Sequence, residues 1–273
     1  MKTTKNAWLF DVDGVITNPE QKRVTEPQIL DEIAKRLQRN EPVALITGRN
    51  LEWVTDRVAS QLETKVTEKK LLDNLFVSGE FGGSFTIYRN GQRNQKVDEE
   101  IRVPQDIIEK AREIAAKFSD SMFFDESKKT MVSIEMNDNL SIDQFKSPQK
   151  ELVEQLNRML EEEHVQDRFM VHADSIATNI RDKKANKRFA AKQVIGWLVD
   201  KGIRPQSFIT TGDSSSDLEM AQEIHDKGLP VTFVFVGKET DRRKIGGQNL
   251  PFPVTFTQGK YEKGTLEYLA STT

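Results

Sequence analysis

Four aspartates of this chain stand just beyond short apolar runs, and their types and spacing point to chemistry. Asp11 and Asp13 close the run that begins at Trp8, in the order Asp-Val-Asp-Gly-Val-Ile-Thr. Asp213 and Asp217 follow Phe208–Thr211 in Gly-Asp-Ser-Ser-Ser-Asp, and Thr47, Gly48 and Arg49 end a third run that starts at Val43. Ligands of open α/β sheets bind beyond the carboxyl ends of the strands. One carboxylate at such a place is more often a helix cap or a turn residue. Four in one crevice resist that reading, because partly buried like charges repel unless something neutralises them. A hard divalent cation with oxygen ligands does so, and magnesium suits phosphate chemistry best.

The elements that must carry these residues are legible in the hydrophobic pattern. Trp8–Asp11, Val43–Thr47, Leu75–Ser78, Phe208–Thr211 and Val231–Val236 are unbroken apolar runs of the length expected for strands covered on both faces. Pro27–Gln38 and Asn186–Lys201 carry apolar residues at helical spacing between them. The alternation predicts an α/β fold, a Rossmann-like open parallel sheet. The middle of the chain reads differently. Asn90-Gly91 marks a hairpin after Phe85–Tyr88, Pro104–Phe118 and Pro148–Glu163 read as helices, and Met131–Met136 and Phe169–Val171 as strands. The expectation is an α+β insert over residues 84–175, spliced into a core of residues 1–83 and 176–273.

Taken in order, Asp11-Val-Asp13-Gly14, Leu45-Ile-Thr47-Gly48-Arg49, Asn186-Lys187 and Gly212-Asp213-Ser-Ser-Ser-Asp217 resemble the four motifs of haloacid dehalogenase phosphatases. Ser78-Gly-Glu-Phe-Gly-Gly83 is similar to the Glu-Asn-Gly-Gly segment that precedes an α/β cap in the Cof-like and sucrose-phosphate-phosphatase-like branch. The resemblance implies that Asp11 attacks phosphorus and forms an aspartyl-phosphate. It implies that Asp13 is the general acid and then the base. Asp11, Asp213 and the backbone carbonyl of Asp13 would hold Mg2+, with Asp217 ligating it or orienting its waters. Thr47, Gly48 and Lys187 would bind the phosphoryl group, and the cap would cover the core and select the substrate, a small phosphate ester such as a sugar phosphate. Val15, Arg188 and Ser216 depart from the commonest pattern, and none of them removes a catalytic group. The second enzyme reading is a phosphomutase of the phosphomannomutase type, for which Arg89, Arg93 and Arg168 are available without a clustered signature. The third is a non-catalytic binding protein on the same scaffold.

Composition narrows the field. The 273 residues suit two domains, and 40 Lys plus Arg against 43 Asp plus Glu leave no basic excess for nucleic acid. There is no cysteine, so disulfides and thiol nucleophiles are excluded. The apolar run at residues 7–10 is too short and too soon acidic for a signal peptide, and no run has the roughly 20 apolar residues a bilayer needs. A soluble cytoplasmic enzyme is expected. The three histidines make no spaced ligand set, and Arg181–Arg188 reads as a solvated loop apart from Lys187. Arg49 reads as pairing with a carboxylate slightly better than as touching substrate.

Overall fold

The computed structural model describes residues 2–272. These divide into two compact units, one of residues 2–96 and 186–272 and one of residues 97–185. In the first unit the chain runs β1 (Lys2–Asp11), α1 (Gln28–Gln38), β2 (Val43–Ile46), α2 (Leu51–Val54), α3 (Ser60–Lys65), β3 (Leu75–Gly79), β4 (Ser84–Arg89) and β5 (Gln92–Val97). The second unit holds α4 (Gln105–Ala116), β6 (Met122–Phe124), β7 (Val132–Met136), α5 (Ile142–Glu162), β8 (Phe169–Ala173) and β9 (Ala177–Asp182). The first unit then resumes with α6 (Lys187–Asp200), β10 (Ile203–Gly212), α7 (Leu218–Asp226), β11 (Val231–Phe235), α8 (Glu239–Gly246), β12 (Val254–Phe256) and α9 (Glu262–Ser271).

The first unit is built on one eight-stranded sheet in the order β12-β11-β10-β1-β2-β3-β4-β5. The six strands from β12 to β3 pair in parallel, and β4 is antiparallel to β3. Parallel strands are buried on both faces, which is why the predicted strands read as continuous apolar runs. Trp8, Phe10 and Val12 pack with Ile33, Leu37 and Leu269 on one face, while Ala7 and Leu9 pack with Ala191, Val194 and Ile224 on the other. Each of the larger aliphatic and phenyl side chains among them contributes about 1.5–3 kcal/mol by leaving water. Register then does the work for the site. Phe10 lies beside Thr211 and Asp11 beside Ile46, so β1, β2 and β10 finish level and the residues after them share one edge.

The second unit packs α4 and α5 with an antiparallel sheet ordered β6-β7-β9-β8, around Ile107, Ile134, Phe145, Leu156 and Ile180. Its boundaries lie later than the expected 84–175. The hairpin at Asn90-Gly91 forms, with positive φ at both residues, but β4 pairs with β3 and so extends the large sheet. At the other end, β9 reaches Asp182 because it pairs with both β7 and β8. The helix expected to start at Pro148 starts at Ile142. Ser141 caps it with a reciprocal Ser141–Gln144 box, and Pro148 sits inside. Proline was a misleading start signal there.

Candidate active site

Beyond the edge of β1 the chain makes a tight turn. Ile16 and Thr17 donate backbone N–H groups to the Val12 carbonyl, both at 2.9 Å, and Gly14 donates to the Thr17 carbonyl at 2.9 Å. Gly14 has φ 73°, and a Cβ there would lie 2.8 Å from Cγ of Asp213, so glycine is needed both for the conformation and for room. After β10, Asp217 closes its own turn. Its Oδ2 accepts the backbone N–H of Asp213 at 3.1 Å and of Ser214 at 2.9 Å, and the Ser214 hydroxyl at 2.8 Å. Asn186 caps α6 by accepting the Phe189 N–H at 2.9 Å, which sets Lys187 as the first helical residue.

These turns bring together the residues singled out from the sequence. Lys187 Nζ lies 2.9 Å from Asp11 Oδ2 and also bonds Asp217 Oδ1. Asp11, Asp213 and Asp217 each offer a carboxylate oxygen, and these oxygens lie within 4.8 Å of one another. Asp11, Asp217 and Lys187 are buried. Burial pushes the Asp11 carboxyl well above the ordinary carboxylate range, against the pull of Lys187 and with the added repulsion of Asp217, Asp213 and Asp13. Burial and the charge of Asp217 push Asp213 up to about 7. Burial alone would lower Lys187, but Asp11 and Asp217 outweigh it and hold the ammonium protonated.

Two buried carboxylates and a third that is half-buried, against one ammonium, form a centre that favours further positive charge. The donor set is all oxygen, which fits a hard divalent cation such as magnesium. Asp217 is the most constrained of the three. With Oδ2 engaged by three donors and Oδ1 by Lys187, it holds the lysine and the loop as much as it could reach an ion.

Asp13 stands apart from this trio, its side chain turned to other partners. Arg49 donates to it from Nε at 3.3 Å and from Nη2 at 3.2 Å, and the Thr47 hydroxyl meets it at 3.4 Å. The Arg49 guanidinium also sits 5.0 Å from the centre of the Trp53 ring. The carboxylate partner expected for Arg49 is thus Asp13 itself. Arg188 pairs with Glu223 at 2.9 Å and with Asp226, both on α7, so its charge is spent between two helices.

No protein-family model matches the chain, and no curated protein matches it by sequence. Solved structures do match. A haloacid dehalogenase-like hydrolase from Bacteroides thetaiotaomicron aligns over 99% of this chain and 100% of its own, with TM-score 0.67 and 11% identity. The chain has the haloacid dehalogenase fold. The C-terminal domain of trehalose-6-phosphate phosphatase from C. albicans aligns over 98% of this chain and 91% of its own, with TM-score 0.67 and 16% identity. The sucrose-phosphatase of Synechocystis sp. PCC6803 aligns over 98% of each, with TM-score 0.54 and 15% identity. No helix among the described residues is long and apolar enough to cross a membrane.

Within this haloacid dehalogenase fold two residues near the site escaped the sequence reading. Thr17 is buried and bonds the Val12 carbonyl at 3.1 Å, bracing the turn that follows Asp11. Phe81 lies with its ring edge against Gly48. Thr17 belongs to the first motif string and was readable. Phe81 gave no signal beyond its place in the Ser78–Gly83 segment.

Proposed function

We propose that the chain is a divalent-cation-dependent phosphatase that hydrolyses a small phosphate ester, a sugar phosphate, through an aspartyl-phosphate on Asp11. The observation that carries this reading is the close group of buried Asp11, half-buried Asp213 and buried Asp217, with Lys187 bonded between Asp11 and Asp217. A carboxylate so enclosed has little use as a structural residue and much as a nucleophile whose charge is masked until substrate arrives.

In the first step an Asp11 carboxylate oxygen bonds phosphorus and the ester P–O bond breaks. The leaving alkoxide takes the proton carried by Asp13, which stands at the same strand end two residues on. In the second, Asp13 removes a proton from water, the water oxygen bonds phosphorus, and the Asp11–phosphorus bond breaks to release phosphate. Lys187 stabilises the negative charge on the phosphoryl oxygens, and Thr47 donates a hydrogen bond to them. A magnesium ion held by Asp11, Asp213 and the carbonyl of Asp13, with Asp217 beside it, would neutralise charge on the phosphoryl group. Arg49 keeps the Asp13 carboxylate directed.

The sugar-phosphate assignment draws on the trehalose-6-phosphate phosphatase and sucrose-phosphatase neighbours. The test is phosphate release from a panel of phosphorylated metabolites, trehalose 6-phosphate and sucrose phosphate among them, with magnesium and with chelator. Turnover that ignores chelation, or no turnover of any ester with magnesium present, would count against the reading.

A further inference from the structure

At the end of β3 the chain turns through three successive residues with positive φ: Glu80 at 51°, Phe81 at 55° and Gly82 at 100°. Glycine adopts such angles freely, whereas Glu80 and Phe81 carry a Cβ and are strained there. The surroundings over-determine this corner. The Glu80 N–H donates to the Arg49 carbonyl at 2.8 Å, the Phe81 N–H to the Thr47 carbonyl at 3.0 Å, and the Gly83 N–H to the Glu80 carbonyl at 3.1 Å. The carbonyls on both sides of Gly48 are therefore taken up by the strained corner. The Phe81 ring completes the grip. A Cβ on Gly48 would lie 2.5 Å from its Cζ and 2.8 Å from its Cε2, so the ring fills the space a side chain of residue 48 would need.

This arrangement answers a problem that glycine creates. A phosphate-binding turn gains close backbone approach from glycine and loses rigidity with it. A ring supplied from the corner after β3 restores the rigidity from one side of the turn. Strain kept in place by surrounding bonds is the kind found beside functional groups.

We propose that Phe81 is a positioning residue, whose strained backbone and ring hold the Thr47-Gly48-Arg49 turn so that the Thr47 hydroxyl meets the phosphoryl group. The proposal rests on the phosphatase reading for what is being positioned, but the grip on the turn is a property of the fold. It sets Phe81 apart from Asp11 and Lys187, because Phe81 acts through the turn.

The test compares wild type with Phe81→Ala and with Phe81→Asn, the second because asparagine tolerates a positive φ and so protects folding. Hydrogen–deuterium exchange across residues 47–49 is expected to quicken by about tenfold or more in both variants, with β1 and β10 unchanged. With p-nitrophenyl phosphate, kcat is expected to fall roughly 10–100-fold at nearly constant KM, as for a misplaced contact. A fall in kcat without faster exchange would overturn the proposal, since Phe81 would then act by touching substrate. Faster exchange with unchanged kcat, or a rise in KM alone, would overturn it equally. Should the wild type hydrolyse no phosphate ester, the functional reading fails, and unchanged exchange in Phe81→Asn would still separately refute the grip.

Discussion

Replacing Lys187 with methionine removes the ammonium and keeps most of the side-chain volume, so it isolates charge. Lys187 is 7% exposed and lies 2.9 Å from Asp11. At an effective dielectric of about 20, a contact that close is worth roughly 6 kcal/mol before desolvation is subtracted. Breaking a buried pair in other proteins costs about 3–5 kcal/mol, because an uncompensated charge remains. Here three carboxylates would remain, so stability without a cation should fall by about that amount, and added magnesium should return part of it. In turnover the loss of one preorganised donor to a phosphoryl group costs on the order of 10²–10³ in kcat. The assay is phosphate release at saturating magnesium and substrate, run beside thermal melts with and without chelator. Lys183 and Lys184 are exposed, and their alanine variants should remain near wild type in both measurements. Near-normal kcat in Lys187→Met, or a larger loss in Lys183→Ala or Lys184→Ala, would refute the reasoning.

Asp11→Asn should abolish turnover while the melting temperature holds or rises, since the variant removes one of several crowded charges; residual turnover comparable with wild type would exclude a covalent role for Asp11. Chelated protein should lose stability as pH rises. Asp213 holds its proton to about 7 in the folded chain against an ordinary 3.8, so the folded state binds more protons between those values and stability falls across that window, by at most about 4 kcal/mol. Melts from pH 4 to 7.5 with chelator should slope downward and flatten with magnesium, and a curve that rises with pH would contradict this. Gly14→Ala should weaken magnesium binding in calorimetry and reduce kcat, because a Cβ at φ 73° meets the Asp213 carboxylate; unaltered affinity would mean the turn can shift without moving Asp213.

The strands of the sheet were readable because burial on both faces erases alternation, as in Val43–Ile46 and Phe208–Thr211, and leaves a plain apolar run. Asp11, Thr47, Lys187, Asp213 and Asp217 were readable because each is fixed to a strand end or helix start that the sequence itself marks. What escaped were relations between distant elements. Nothing in the sequence says that Phe81 lies over Gly48, which is settled by the pairing of β2 with β3 and by two backbone bonds across it. The first six residues of α5 are hidden because Pro148 looks like a beginning, while the actual cap at Ser141 lies in a polar stretch with few apolar residues to announce a helix. The hairpin signal at Asn90-Gly91 is local and carries no information about which sheet its strands join, so it does not reveal that β4 pairs with β3.

The discontinuity of the first unit sets the order in which the paired strands become available as the chain is made. β1 is hydrogen-bonded on one side to β2, which follows closely, and on the other to β10, which begins at Ile203. A ribosome therefore finishes the entire second unit before the strand that brings Asp213 to Asp11 exists. The residues of that unit possess a core of their own around Phe145 and Ile180, so they can condense early and draw the ends of the intervening loop toward one another. Ordering them first shortens the effective loop that β1 and β10 must close, and with it the entropy opposing their union. Until then the apolar edge of β1 has no partner on that side, and the nascent chain is at its most exposed to wrong associations.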